Sequence, residues 1–139
     1  MKRTTQLEAS GFGFRLDAHS GVPVYRQLID QVQAALARGA LFPGDQLPTV
    51  RHVAVELAIN PNTVSRAYRE MEIRGILDTQ QGTGTFIADK QAEPSKEEQD
   101  RQLAQLIGEF VSRAGSAGLT VSDLIEALHQ LVNEGEQRR

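Results

Sequence analysis

Between Leu47 and Tyr68 the chain reads LPTVRHVAVELAINPNTVSRAY, and this stretch constrains the fold more than any other. Val50, Val53, Ala54 and Leu57 recur at helical spacing, and Val64, Ala67, Tyr68 and Met71 do so again after Asn60-Pro61. Each set predicts a short helix with one buried face. Asn60 offers an N-cap oxygen. Pro61 follows where its fixed φ suits a first helical residue and its missing N–H costs nothing. Two short helices joined by a tight turn result. Burying the stripe of the second leaves Asn62, Ser65, Arg66 and Arg69 facing outward. A polar, basic face held rigidly in this way suits the major groove of DNA; the competing reading is an ordinary solvated helix face.

The flanking sequence adds a third helix and a hairpin. Pro23 stands near the start of a helix with an apolar stripe of Tyr25, Leu28, Ile29, Val32, Ala35 and Leu36, closed by Arg38-Gly39. Pro43-Gly44 signals a turn, and Thr49 is the expected N-cap of the first helix of the pair. Gly75 closes the second. Ile76–Gln80 and Thr85–Ala88 are short strand candidates joined by Gln81-Gly82-Thr83-Gly84. Three helices and a two-stranded ribbon make a winged helix-turn-helix. Upstream, Phe12-Gly-Phe14-Arg-Leu16 alternates like a short strand, and residues 1–11 are polar, aperiodic and expected to be mobile.

Beyond the hairpin the pattern changes. Gln91-Ala-Glu-Pro94 is a linker by composition, and Ser95-Lys-Glu-Glu98 reads as a capping box. The helix it opens carries Leu103, Leu106, Ile107, Phe110, Val111 and Ala114. Gly115-Ser-Ala-Gly118 breaks it, and Thr120-Val-Ser-Asp123 opens a last helix with Val121, Leu124, Ile125, Leu128, Leu131 and Val132. About 45 residues cannot bury enough surface to stand alone. This tail must pack on the winged domain or on a second copy, and the Pro94 linker favours the second copy. Two chains would then form a four-helix arrangement.

Charge follows the same division. Residues 1–90 hold ten Lys and Arg against nine Asp and Glu, and residues 91–139 hold five against nine. The acidic excess therefore lies in the tail, away from the proposed reading face. The absence of cysteine excludes disulfides and thiolate chemistry. No secretory leader pattern or bilayer-length apolar run occurs, so a cytoplasmic location without membrane association is expected. His19, His52 and His129 are far apart and lack metal-ligand spacing. No nucleophile–base pair suggests itself. No catalytic residue, metal or cofactor is expected.

Taken together, PGDQLPTVR, NPNTVSRAY and the wing GTGTF, at this spacing within residues 23–88, resemble the GntR family of bacterial transcription regulators. The segment FRLDAHSGVPVYRQL and the two-helix tail look like its YtrA subfamily. The resemblance implies a homodimer bound to a pseudo-palindromic double-stranded DNA operator, usually as a repressor. It further implies that the Arg of the LPxxR element, here Arg51, contacts guanine. The start of the recognition helix, here Asn60, Asn62 and Thr63, would contact bases and phosphates, and the wing glycine, here Gly82, the minor groove. One departure matters: some relatives carry Arg where this chain has Pro61 and Ser65, whereas here Arg66 lies one residue on.

The expected fold is thus mainly α with a small β-wing, a winged helix-turn-helix followed by a two-helix dimerisation tail. Its parts are a flexible N-terminus (1–11), the DNA-binding domain (12–90), a linker (91–94) and the dimerisation segment (95–139). The candidate DNA contacts are Thr49, Arg51, Asn60, Asn62, Thr63, Arg66, Gln81, Gly82 and Thr83. Arg51 can alternatively pair with Glu56, Arg66 and Arg69 with Glu70 or Glu72, and Gly82 can serve the hairpin alone. Tyr25 and Tyr68 are expected in the core. The candidate dimer contacts are Leu103, Leu106, Ile107, Phe110, Leu124, Leu128 and Leu131. A small-molecule effector, where one exists, is expected at the dimer interface or against the winged domain. The rival function is a winged-helix module that binds proteins without specific DNA readout.

Overall fold

The computed structural model describes residues 12–89 and 94–137, which form two compact units. The expected mobile N-terminus (1–11) and most of the expected linker lie outside the described residues. The first unit contains α1 (Val24–Ala37), β1 (Gln46–Leu47), α2 (Val50–Leu57), α3 (Pro61–Ile73), β2 (Leu77–Gln80) and β3 (Gly84–Ile87). The second contains α4 (Lys96–Ser116) and α5 (Val121–Gln137).

Local chemistry sets the helix ends. The Thr49 hydroxyl accepts the His52 N–H at 3.1 Å, and the Asn60 side chain accepts the Asn62 N–H at 2.8 Å, with Pro61 at the first helical position. Gly39 and Gly75 take left-handed φ values of 78° and 79° after α1 and α3, as C-terminal glycines do. Between α2 and α3 that role falls to Ala58, at φ 56°. Its Cβ is crowded there at a cost of about 1–2 kcal/mol. Ile59 N–H returns to the Ala54 carbonyl at 3.0 Å and closes the turn.

The three apolar stripes converge on one core. Leu28, Ile29, Val32 and Ala35 of α1 meet Val53 and Ala54 of α2, and Val64, Ala67, Tyr68 and Met71 of α3. Leu41, Leu47, Ile76, Leu77 and Ile87 complete it from the loops and strands. Burying a side chain of this size stabilises by roughly 1.5–3 kcal/mol, which holds α3 in a fixed orientation.

Two expectations need correction in this unit. The wing is not a two-stranded ribbon but part of a three-stranded antiparallel sheet, ordered β1-β3-β2. Gln46 and Leu47 pair with Phe86 and Thr85 of β3, which in turn pairs residue by residue with β2. Nor is the segment Phe12–Leu16 a strand. It is held to α1 by two side-chain amides one helical turn apart. Gln31 accepts the Arg15 N–H at 2.8 Å and donates to the Arg15 carbonyl. Gln27 accepts the Asp17 N–H at 2.8 Å and donates to the Asp17 carbonyl at 3.1 Å. Each amide satisfies a donor and an acceptor as a neighbouring strand would. Phe12 is buried and packs edge-on against Phe14, ring centroids 4.9 Å apart.

In the second unit, Ser95 accepts the Glu98 N–H at 3.2 Å. The Glu98 carboxylate, however, receives Gln102 at 3.1 Å and Arg101, both further along the helix, instead of reaching back as a capping box requires. A true reciprocal box opens α5: Asp123 N–H donates to the Thr120 hydroxyl at 3.2 Å, and Thr120 N–H donates to the Asp123 carboxylate at 2.8 Å. Hydrogen bonds from the Thr120 backbone and then its side chain hold the Asp123 carboxyl below its ordinary pKa.

Candidate nucleic-acid interface

Three pieces of the first unit carry the candidate contacts: the start of α2, the start of α3 and the turn between β2 and β3. Thr49 and Arg51 are exposed at the first, Asn60, Asn62 and Arg66 at the second, and Gln81, Gly82 and Thr83 at the third. Thr63 is half-buried. Thr49 and Asn60 have their side-chain oxygens engaged as caps, which sets the first turns of both helices.

The three pieces are bonded to one another. β1 pairs with β3 and leads through Pro48 directly into α2, so the wing and the start of α2 share one sheet. The Gln46 side chain reaches the wing tip, where Nε2 donates to the Thr83 carbonyl at 3.3 Å. Gly84 makes room for it: a Cβ there would stand 2.5 Å from Gln46 Nε2, at a φ of 140° that L-residues rarely adopt. From the other side, the buried Tyr68 of α3 donates its hydroxyl to the Pro48 carbonyl. Burial pushes the Tyr68 pKa up, so the hydroxyl stays protonated as that bond requires. At the far end of α3, Glu72 takes the Thr79 hydroxyl of β2. The helix pair and wing are therefore one rigid platform. β1 and the Gln46 link leave little trace in the sequence beyond the single apolar Leu47 before Pro48.

The charges on the platform are largely uncommitted. The suggested partner of Arg51, Glu56, lies 3.7 Å from His52 instead, and Arg51 pairs with no carboxylate among the described residues. Glu70 is taken by Arg74 at 3.0 Å and Glu72 by Thr79, so neither holds Arg66 or Arg69. Arg66 lies over the ring of Tyr25 on α1, its guanidinium carbon 3.8 Å from the centroid. Of the two tyrosines expected in the core, Tyr68 is buried within it and Tyr25 is half-buried and packed against it.

At Gly82 φ is 77°, and Thr83 N–H closes the wing turn onto the Gln80 carbonyl at 3.0 Å. GTGTF thus covers the turn after β2 and most of β3, not the strand-to-helix setting of a phosphate-cradling nucleotide loop. Among the described residues no group of three or more His, Cys, Asp or Glu is placed to hold a metal, and no helix is long and apolar enough to cross a membrane.

The tail helices present a different surface. Ala114 is 7% exposed and Leu124 is half-buried, but Leu103, Leu106, Ile107, Phe110, Leu128 and Leu131 are 41–63% exposed.

Comparison with known proteins agrees with this geometry. Residues 24–87 match the family of bacterial regulatory proteins described as gntR. The HTH-type transcriptional regulator YhcF of Bacillus subtilis is 40% identical over 116 residues, covering 84% of this chain and 95% of that protein. The HTH-type transcriptional repressor YtrA of the same organism is 34% identical over 120 residues, covering 86% and 89%. The structure of YtrA from Sulfolobus acidocaldarius, a GntR-family transcription factor, aligns with a TM-score of 0.51 at 26% identity, covering 87% of this chain and 97% of that one.

Proposed function

The chain belongs to the gntR family of bacterial regulatory proteins, as a winged-helix DNA-binding transcription regulator of the YtrA-like kind, and on that premise we propose that it acts as a cytoplasmic homodimeric repressor of a pseudo-palindromic operator. The observation that carries the proposal is the apolar stripe of α4 and α5, which the two helices leave exposed within their own unit. Pairing the stripes of two copies about a two-fold axis buries them and sets two reading heads on one duplex. The repressor named YtrA supports the sign of regulation.

Within each head, Arg51 is the base reader. Its guanidinium is exposed and unpaired with any carboxylate among the described residues, so it is available for a bidentate contact to guanine O6 and N7. Asn62 and Thr63 contact bases and phosphates from the first turn of α3. Gln81, Gly82 and Thr83 approach the minor groove, where glycine lets the backbone come close. Thr49 and Asn60 orient these groups through their caps. An effector, where one exists, is an organic molecule held between the four tail helices of a dimer or against the winged unit. It acts by favouring one spacing of the heads. Sedimentation of the full chain, alone and with duplexes carrying one or two half-sites, tests the proposal. Two chains on two half-sites support it; a monomer that binds one half-site equally well overturns it.

A further inference from the structure

Arg66 and Tyr25 come from different helices, and their contact divides the labour of the reading face. On α3 the buried residues are Val64, Ala67, Tyr68 and Met71. At about 100° per residue, the arc opposite them is centred on Asn62 and Ile73, with Arg66 and Arg69 flanking that centre about equally on either side. What distinguishes Arg66 from Arg69 is its side chain, whose guanidinium is turned toward α1 and lies over the Tyr25 ring at 3.8 Å. Tyr25 is only half-buried, so the stacked pair is open to solvent.

Stacking occupies one face of the guanidinium and leaves its five N–H groups, which lie in the plane, free to donate. It also holds a long side chain in one orientation, against the neighbouring helix and away from the line along which α3 would enter a groove. The middle of a recognition helix faces base edges and its flanks face the phosphate walls. We infer that Tyr25 is a positioning residue that holds Arg66 for a DNA phosphate, so that Arg66 anchors the reading head and reads no base. The inference rests on the DNA-binding role proposed above and assigns to Tyr25 a part that an apolar-stripe residue would not have.

The test uses the full chain and two duplexes, one carrying the selected operator and one of random sequence. Because a phosphate contact serves both, the inference is tested even if no operator is selected. Arg66→Ala is expected to weaken both complexes about tenfold, as loss of a charge-assisted hydrogen bond does, and to lower the salt slope by about one for each head bound. Base preference in a site selection stays unchanged. Tyr25→Phe keeps the ring and binds like wild type. Tyr25→Leu keeps the apolar burial but loses the stack, and weakens both complexes about two- to fivefold. In the Arg66→Ala background, Tyr25→Leu has no further effect on binding, which a merely structural role for Tyr25 would not produce. A changed base preference in Arg66→Ala overturns the inference, as does unchanged affinity. An undiminished effect of Tyr25→Leu in the Arg66→Ala background overturns the role of Tyr25. Wild-type binding to random DNA without operator preference would refute the operator proposal alone.

Discussion

Leu106→Asp is expected to separate the tail's role from that of the winged unit. Leu106 stands on α4 with 63% of its surface exposed. Since full burial of a leucine side chain stabilises by roughly 1.5–3 kcal/mol, covering the exposed part in a dimer contributes about 1–2 kcal/mol per copy. A two-fold axis uses the residue twice, so the substitution forfeits about 2–4 kcal/mol, before counting the cost of burying two carboxylates. At tenfold per 1.4 kcal/mol, the dimer Kd rises at least about thirtyfold and up to about a thousandfold. Sedimentation velocity over a concentration series reads this directly. Gln105→Asp, on the opposite side of α4, is the control and should leave the Kd unchanged. Melting of the winged unit should stay the same in both variants, because its core contains no tail residue. A Leu106→Asp chain that dimerises with the wild-type Kd would refute the reasoning. So would a chain ending at Lys90 that remains a tight dimer.

Three further outcomes follow from individual contacts. Arg51→Ala should weaken specific binding by roughly 1–3 kcal/mol and relax preference at one guanine position, read by site selection with the variant. Ala58→Gly should raise stability by about 1 kcal/mol in denaturant melts, because the left-handed φ of 56° crowds the alanine Cβ; an unchanged midpoint would remove that strain from the account. The Asp123 carboxyl should titrate below its ordinary value of 3.8 by NMR. Its contribution to the start of α5 is then present above that pH and lost as pH falls through the lower folded value. Asp123→Asn should remove this acid-side dependence, and a titration midpoint at or above 3.8 would contradict it.

The helices of the winged unit were legible in the sequence because their signals are local. Thr49 and Asn60 cap the helices they precede, Gly39 and Gly75 follow the helices they end, and each apolar stripe lies within one helix. The features that escaped depend on distant residues. β1 is two residues long, too short to show alternation, and exists because β3 pairs with it. The Phe12–Leu16 segment does alternate, but its Arg15 backbone bonds the side chain of Gln31, and Asp17 just beyond it bonds that of Gln27, where a strand would have had a neighbouring strand. Glutamine on a helix carries no sign of such a partner. Tyr25 fitted the α1 stripe, and nothing in its spacing revealed Arg66 opposite. Glu98 had the right spacing for a capping box, yet Arg101 and Gln102 compete for its carboxylate from the following turn.

Selection of bound sequences from a random duplex library by the full chain, followed by sedimentation of the complex with the winning duplex, tests the central claim most directly. The account predicts an inverted repeat of two half-sites bound by two chains, with a guanine in each half-site whose preference disappears in Arg51→Ala. Enrichment of no sequence, or of one half-site bound by a single chain, would contradict it.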